Sequence, residues 1–171
     1  GILGVYFLLS LQFGNYSEPL IVMINIPLAL IGVFWGHLLL GLDLTMPSMI
    51  GFVSLAGVVV NDSILLVEFV KHRREEGLPI HQAAGQAVRD RFRAIFLTSI
   101  TTVAGMLPLL SETSLQAQVL VPLVASIVFG MMSSTVLILI VLPATYVILE
   151  DFLQFTARFK QGRNKPQVNL N

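Results

Sequence analysis

Residues 48–70 read SMIGFVSLAGVVVNDSILLVEFV, an almost continuous apolar run that Asp62 interrupts about two-thirds of the way along. At a rise of about 1.5 Å per residue, a helix of this length crosses a hydrocarbon core about 30 Å thick. Backbone polar groups in lipid must be satisfied within the chain, so the run predicts a transmembrane helix. A carboxylate in such a helix further predicts neighbouring helices that shield it from lipid.

The composition of the whole chain also indicates a membrane protein. Hydrophobic residues make up 55% of the sequence and charged residues 12%, whereas an ordinary soluble domain has about 25% charged residues. The formal net charge is zero, and the charges are segregated along the sequence. We therefore expect the lipid bilayer to be the main surrounding partner, and no nucleic acid.

Apolar segments of spanning length alternate with short polar connections along the chain. We predict an all-α, polytopic transmembrane helix bundle over residues 1–152 and a polar tail over residues 153–171. Within the bundle, the predicted elements are a partial span at 2–13, full spans at 19–42, 47–70, 94–111 and 119–149, and a short interfacial helix at about 79–91. Because the first segment is too short to cross a bilayer and the sequence does not begin with Met, we expect it to continue a longer protein.

The basic residues predict the orientation of the bundle. All ten Lys and Arg residues lie in two segments, 71–93 and 158–165, which two spans separate. The connections near Asp43 and Glu112 contain neither Lys nor Arg. By the positive-inside rule, the basic loop and the C-terminal tail of this multi-pass protein face the cytoplasm.

Asp62 is the first candidate for chemistry. A charged carboxylate at the centre of a membrane costs about 2.5–3.5 kcal/mol on insertion scales, so it requires a compensating role. One hypothesis is that Asp62 faces the bundle interior and takes part in a proton path or a charge network with Asn61 and Ser63. The alternative is that Asp62 accepts hydrogen bonds from neighbouring hydroxyl groups as a packing device and keeps one protonation state.

Three further polar side chains are considered for the same site. Thr98 lies nearest the cytoplasmic third of its span, where a hydroxyl group is able to relay a proton. His37 lies deep in the first full span, and histidine titrates near neutral pH, but a single histidine near a helix end is also typical of a hydrogen-bonded residue. We interpret Glu68 as a partner in an interfacial ion pair with Lys71 and Arg74, one turn away.

Small and hydroxyl-bearing residues predict contacts between helices, because they let backbones approach closely in lipid. The residues with this interpretation are Ser54, Gly57, Thr101, Thr102, Gly105, Gly130 and Ser134. The sequence contains no cysteine, metal-ligand cluster, P-loop, dinucleotide fingerprint or nucleophile elbow. We therefore predict no metal site, no cofactor and no enzyme active site.

Two ordered motifs resemble those of a known family. The first is GVVVNDSILLVEF at 57–69, and the second is AVRDRFRAIFLTS at 87–99, which TTVAGMLPL follows at 101–109. Their order and separation are similar to those of the resistance-nodulation-division (RND) efflux transporters. The resemblance covers nearly the whole chain, from the eighth to the twelfth transmembrane helix, which is the C-terminal transmembrane portion of such a transporter.

The resemblance implies a homotrimeric pump of the bacterial inner membrane, with twelve spans per protomer and an N-terminal half that this sequence lacks. It also implies multidrug resistance, proton antiport driven by the proton gradient, and a periplasmic adaptor and an outer-membrane channel as partners. In the family, two acids on the fourth helix combine with basic and hydroxyl residues on the tenth and eleventh helices. Arg91 and Thr98 match the eleventh-helix positions. Asn61 stands where the well-studied drug pumps have Lys, which leaves Asp62 as an additional acid.

Together, these observations predict a part of a proton-driven RND efflux pump, with Asp62, Asn61, Thr98 and Arg91 in an intramembrane proton relay. Two alternatives stay open. A protein-export accessory subunit of the same superfamily has a similar Asn-Asp pattern, and a non-catalytic membrane scaffold would use the same polar residues only to pack helices. The substrate is not identified, because the resemblance places substrate contacts mainly in the periplasmic portion.

Overall fold

A computed structural model describes residues 2–162, with side-chain surroundings for residues 3–153. Over these residues the chain is helical apart from short connections and contains no strand. The five helices are α1 (Ile2–Phe13), α2 (Ser17–Leu40), α3 (Met46–Glu75), α4 (Ile80–Leu110) and α5 (Leu115–Gly162). The predicted all-α helix bundle is confirmed.

Four of these helices have the length and the apolar composition needed to cross a membrane. They are α2, α3, α4 and the part of α5 from Leu115 to Leu153. Helix α1 is apolar but has only 12 residues, about 18 Å, and so does not cross a core about 30 Å thick. The predicted partial span and four full spans correspond to these five helices.

Two local signals set the turn between α2 and α3. Gly41 ends α2 with a φ of 64°, a left-handed conformation, and its N–H donates to carbonyl groups of the last turn. Thr45 begins α3 with a capping box, in which its backbone N–H donates to Ser48 Oγ at 3.2 Å. Pro47 lies in the first turn, where a missing N–H costs no helical hydrogen bond.

The separate interfacial helix predicted at about 79–91 is wrong. Helix α4 instead runs without a break from Ile80 to Leu110. The chain breaks earlier, at Gly77, which has a φ of 91°. No Gly or Pro occurs between residues 86 and 104, so the backbone hydrogen bonds continue where the polar segment meets the apolar one.

Helix α5 extends beyond the predicted span of 119–149 at both ends, from Leu115 to Gly162. The predicted tail at 153–171 therefore begins inside a helix. Acidic residues in this region do not end the helix, and no Gly or Pro occurs between residues 144 and 161. The rest of the predicted tail, residues 163–171, lies outside the described residues.

Helices α2, α3 and α4 all pack against α5, and glycines permit the closest approaches. A Cβ atom added at Gly32 would overlap Ser133 Cβ and the Phe129 carbonyl oxygen, and one at Gly36 would overlap the Phe129 side chain. Gly130 of α5 in turn receives side chains of α2 and α3. The spacing of Gly32 and Gly36 is the small-xxx-small spacing typical of helix contacts in lipid.

Replacing Gly32 by Ala should destabilise the protein that contains this chain by about 1–3 kcal/mol, because the added methyl group meets the backbone of α5. Gly85→Ala is the matched control, since Gly85 lies inside α4 and a Cβ atom there meets nothing within 4 Å. The control should stabilise by about 0.5–1 kcal/mol. Thermal unfolding in nanodiscs measures both variants, and equal midpoints would contradict a crowded α2–α5 contact.

Candidate functional site

Helices α3 and α4 run antiparallel, and two contacts fix their register. Arg73 Nη2 donates to Asp90 Oδ2 at 2.7 Å, close to the turn that joins the helices. Further from the turn, the guanidinium carbon of Arg91 lies 4.4 Å from the centre of the Phe69 ring. Positions toward the N-terminus of α3 therefore lie beside positions toward the C-terminus of α4.

Asp62 lies on the face of α3 that these contacts turn toward α4. It precedes Phe69 by seven residues, about two helical turns, so the two side chains share a face. The Asp62 side chain is half-buried, and Arg91 is the cation among the described residues whose charge acts on it. Arg91 Nε is buried and has no hydrogen-bond partner in the described part of the chain. Asp62 and Arg91 thus lie on facing sides of α3 and α4, about two turns apart along the bundle, and no hydrogen bond or ion pair joins them within the described residues.

Thr98 and Asn61 lie beside this pair. Thr98 follows Arg91 by seven residues, so the antiparallel register places it at the level of Asp62. The Thr98 side chain is exposed, and its Oγ1 donates to the Ala94 carbonyl oxygen at 2.8 Å. Asn61 is also exposed. The fold therefore brings Asp62, Arg91 and Thr98 to one helix pair, while their cooperation with Asn61 in a relay stays a prediction.

A buried polar pair joins α2 to α3 next to Asp62. It connects Ser63, named above as a possible partner of Asp62, to Asn25, for which no role is predicted. Asn25 is 1% exposed, and its Nδ2 donates to Ser63 Oγ at 3.0 Å. Ser63 in turn donates to the Val59 carbonyl oxygen at 2.7 Å. The Asn25 Oδ1 atom is buried and accepts no hydrogen bond from the described residues.

The energetics of this pair give little net stability. A hydrogen bond contributes about 0.5–1.5 kcal/mol net, whereas an unsatisfied buried polar atom costs about 1–3 kcal/mol. The bond to Ser63 is thus offset by the unbonded Oδ1 atom of Asn25. A different role is needed to explain an asparagine at this buried position.

The residues predicted to pack helices fall into two groups. Gly130 and Ser134 are buried where α5 meets its neighbours. The second group is exposed or half-buried on the described chain and comprises Ser54, Gly57, Thr101, Thr102 and Gly105. A Cβ atom at either glycine of the second group meets nothing within 4 Å. Packing by this second group stays a prediction, and it requires a surface beyond the described residues.

Ion pairs between distant segments hold the end of the bundle that carries residues 71–93, which we call the basic end. Lys71 Nζ lies 3.1 Å from Glu18 Oε2, and Arg74 pairs with Glu150. These pairs connect α3 to α2 and to α5. The four side chains, with three neighbours, line an open cavity of about 420 Å³. No local sequence pattern could have found these pairs, because each acid lies far along the chain from its base.

The ion pair predicted between Glu68 and Lys71 or Arg74 is wrong. Glu68 is exposed and accepts a hydrogen bond from Gln12 Nε2 at 3.3 Å. Lys71 and Arg74 instead pair with acids on α2 and α5. The acid on α2 is Glu18, which is 6% exposed. An ion pair in a partly buried place is less screened than one between exposed neighbours on a helix surface.

His37 is buried near the end of α2, with both ring nitrogens in contact with polar atoms. Nδ1 lies 2.9 Å from the Val33 carbonyl oxygen, which can only accept, so Nδ1 is the donor of that hydrogen bond. Nε2 lies 2.8 Å from Ser48 Oγ. The position corresponds to the hydrogen-bonded interpretation of His37, and the residue lies far from Asp62 along the bundle.

An all-α bundle with four helices long and apolar enough to cross a membrane defines a polytopic membrane protein. Residues 1–150 match the model of the AcrB/AcrD/AcrF family. The chain belongs to this family, and thus to the RND transporters.

Individual relatives agree with this assignment. The chain is 32% identical over 149 residues to the swarming motility protein SwrC of Bacillus subtilis, which covers 86% of this chain and 14% of that protein. It is 32% identical over 145 residues to the cobalt-zinc-cadmium resistance protein CzcA of Cupriavidus metallidurans, with 85% and 14% covered. A crystal structure of a heavy metal efflux pump matches with a TM-score of 0.79 and 28% identity, over 88% of this chain and 15% of that one. The chain therefore spans 14% to 15% of the length of these relatives.

Replacing Glu18 by Ala should destabilise the protein by about 1–3 kcal/mol, because Lys71 loses its acceptor in a partly buried place. Glu75→Ala is the matched control, since Glu75 is an exposed acid that lines the same cavity. We expect the control to change stability by no more than about 0.5 kcal/mol. Thermal unfolding in nanodiscs is the measurement, and a Glu18→Ala variant as stable as the control would argue against the ion pair.

Proposed function

We propose that this chain is part of a proton-driven RND efflux pump, in which the Asp62–Arg91 pair contributes to an intramembrane proton relay. The observation that carries the proposal is a half-buried carboxylate on an apolar helix, on the face that meets α4, the helix that carries Arg91. Membership of an efflux transporter family favours this function over the protein-export subunit and over the passive scaffold. The protein is then a secondary transporter and not an enzyme.

The proposed coupling follows from the charge of the carboxylate. While Asp62 is ionised, it attracts Arg91 and favours a close α3–α4 arrangement. A proton that enters the site neutralises Asp62 and removes this attraction, so the two helices can separate or slide. Thr98 lies at the same level and supplies a hydroxyl group that can pass the proton on, while Asn61 supplies an amide beside the acid.

The surroundings of the pump are also part of the proposal. By the positive-inside rule, the basic end faces the cytoplasm. Membership of the RND family supports a location in the bacterial inner membrane. The family favours a homotrimer that works with a periplasmic adaptor and an outer-membrane channel, and with an N-terminal half of the same transporter. The proton gradient supplies the driving force in place of a cofactor.

For the substrate, we propose a divalent heavy-metal cation instead of the organic drugs that multidrug resistance would require. The support is that one curated relative is named for cobalt, zinc and cadmium resistance and a matching solved structure is a heavy metal efflux pump. Within the described residues, no group of three His, Asp or Glu side chains could hold a metal ion. The substrate site is therefore proposed to lie in another part of the transporter.

Replacing Asp62 by Asn in the complete transporter should reduce proton-coupled transport by at least about tenfold, because the amide cannot take up or release the proton. Transport and proton flux are measured in proteoliposomes with an imposed pH gradient. Glu68→Gln is the matched control, an exposed acid on the same helix that lies outside the pair, and it should retain transport. Wild-type proton flux in the Asp62→Asn variant would remove Asp62 from the mechanism.

Deleting the gene that encodes the complete protein should sensitise its host to zinc, cobalt or cadmium more than to organic antibiotics. The expected difference in minimal inhibitory concentration is at least about fourfold for one of the metals and less than about twofold for the antibiotics, since selectivity between such different substrates reflects several kcal/mol of binding. Complementation with the intact gene is the control. Sensitisation to antibiotics alone would overturn the metal substrate and leave proton-driven efflux in place.

A further inference from the structure

We propose that Asn25 is a positioning residue for the proton-relay acid: through its bond to Ser63, it helps to fix the rotation and the register of α3 so that Asp62 faces α4, the helix that carries Arg91. This inference rests on the proposed function of Asp62, and it adds a residue of α2 to a site that otherwise involves α3 and α4. Neither the family resemblance nor the motif at 57–69 assigns a role to Asn25.

The first step of the argument is where Ser63 lies on α3. Between residues 55 and 70 the buried face of this helix is otherwise formed by apolar side chains, namely Leu55, Val59, Leu66, Val67 and Val70, each at most 1% exposed. The other buried polar side chain on this face is Ser48, about four turns away at the start of the helix. Ser63 falls in the middle of this face and is itself fully buried. Apolar packing alone tolerates sliding, because one leucine or valine contact resembles another. A polar side chain within this face does not tolerate such sliding, because it would lose its hydrogen-bond partner.

The second step is that Asn25 provides the matching polar group on α2. Its Nδ2 donates to Ser63 Oγ at 3.0 Å, and both side chains are buried. If α3 rotated or slid by one turn against α2, both polar groups would face apolar side chains without a partner. Together with the His37–Ser48 contact at the start of α3, the pair therefore favours one register, in the same way that a buried asparagine selects the register of a coiled coil.

The third step connects this register to Asp62. Asp62 and Ser63 are consecutive, so their side chains point about 100° apart around the helix. With Ser63 fixed against α2, Asp62 is directed to the α4 side, where the Phe69–Arg91 contact lies two turns further along. Among the helices packed around this site in the described chain, the charged group that acts on Asp62 is Arg91 of α4. Loss of the Asn25–Ser63 bond would let Asp62 rotate away from that cation.

Stability does not explain Asn25, because its unbonded Oδ1 atom offsets the bond that Nδ2 makes. Replacing Asn25 with a leucine of similar size would remove both the hydrogen bond and the unbonded Oδ1 atom. If Asn25 had only a structural role, Asn25→Leu would change the free energy of unfolding very little. If Asn25 positions Asp62, the substitution also changes the environment of the Asp62 carboxyl group.

The test is an infrared pH titration of the protonated Asp62 carboxyl group in the complete transporter, reconstituted in lipid, with Asp62→Asn to assign the band. Asn25→Leu and Ser63→Ala should each move the titration midpoint to higher pH by about half a unit or more, since the carboxylate loses its cation. The double variant should shift no further than the larger single shift, because both substitutions remove the same bond. Ser63→Ala also serves as the milder second variant if Asn25→Leu does not fold.

Two controls separate positioning from general damage. Ser63→Thr keeps the hydroxyl group and should keep the wild-type midpoint. Ser126→Ala removes another buried bond to α3, from Ser126 Oγ to the Ser48 carbonyl oxygen at 2.9 Å, about 22 Å along the helix from Ser63, and should also leave the midpoint unchanged. An unchanged midpoint in folded Asn25→Leu or Ser63→Ala would overturn the inference, as would an equal shift in Ser126→Ala.

The two proposals can fail separately. The infrared titration does not require transport. A shifted midpoint in Asn25→Leu, together with unchanged transport in Asp62→Asn, would support the positioning role and reject the relay. Loss of transport in Asp62→Asn together with an unmoved midpoint in Asn25→Leu would support the relay and reject the positioning role.

Discussion

Helices in a bilayer gain little from burying apolar surface against each other, because lipid tails are as apolar as leucine, so close contact has to hold the bundle together. In this chain the close contact centres on α5, against which α2, α3 and α4 all pack. Gly32 and Gly36 remove side chains where α2 crosses α5, and Gly51 does the same where α3 meets the Leu123 carbonyl oxygen. The positions of all the polar groups discussed above follow from this arrangement.

Polar groups serve different purposes at different levels of the bundle. At the basic end, Lys71 and Arg74 tie α3 to two helices that lie far away in sequence. At the other end, His37 and Ser48 connect α2 to the start of α3. Between them lie the Asn25–Ser63 bond and the acid Asp62. The two ends and the middle level therefore fix the height of α3 together, and the middle level also sets the direction in which its carboxylate points.

Helix α4 is attached differently from the other spans. Within its most apolar stretch 11% of the residues are buried, compared with 50% for α5. It is joined to its neighbours by a few specific contacts, such as Arg73 with Asp90 and Ser99 with Thr135 at 2.5 Å. Because the chain spans 14% to 15% of the length of its relatives, the exposed faces of α4 are open to contacts with the rest of the transporter.

The glycine pair of α2 and the asparagine of the same helix show what a sequence pattern could have predicted and did not. Gly32 and Gly36 have the spacing of a helix contact in lipid, and Asn25 is a polar residue in an apolar span, which is a sign of a polar partner within the bundle. Their partners, however, are about forty and a hundred residues away in sequence. Periodicity identifies the face of one helix, but not which helix covers it.

The sequence by itself determined the fold class, the number of spans, the segregation of charge and the family, because length and hydropathy are local properties and the two motifs are contiguous. It also placed Asp62, Arg91 and Thr98 as candidates. Only the tertiary structure decided which charges pair, since Lys71 and Arg74 pair with Glu18 and Glu150 on other helices and not with the nearby Glu68. It likewise decided that α4 continues through the polar segment and that Asn25 meets Ser63. Ion pairs and buried hydrogen bonds depend on distances in space, which the order of residues does not contain until the helices have packed.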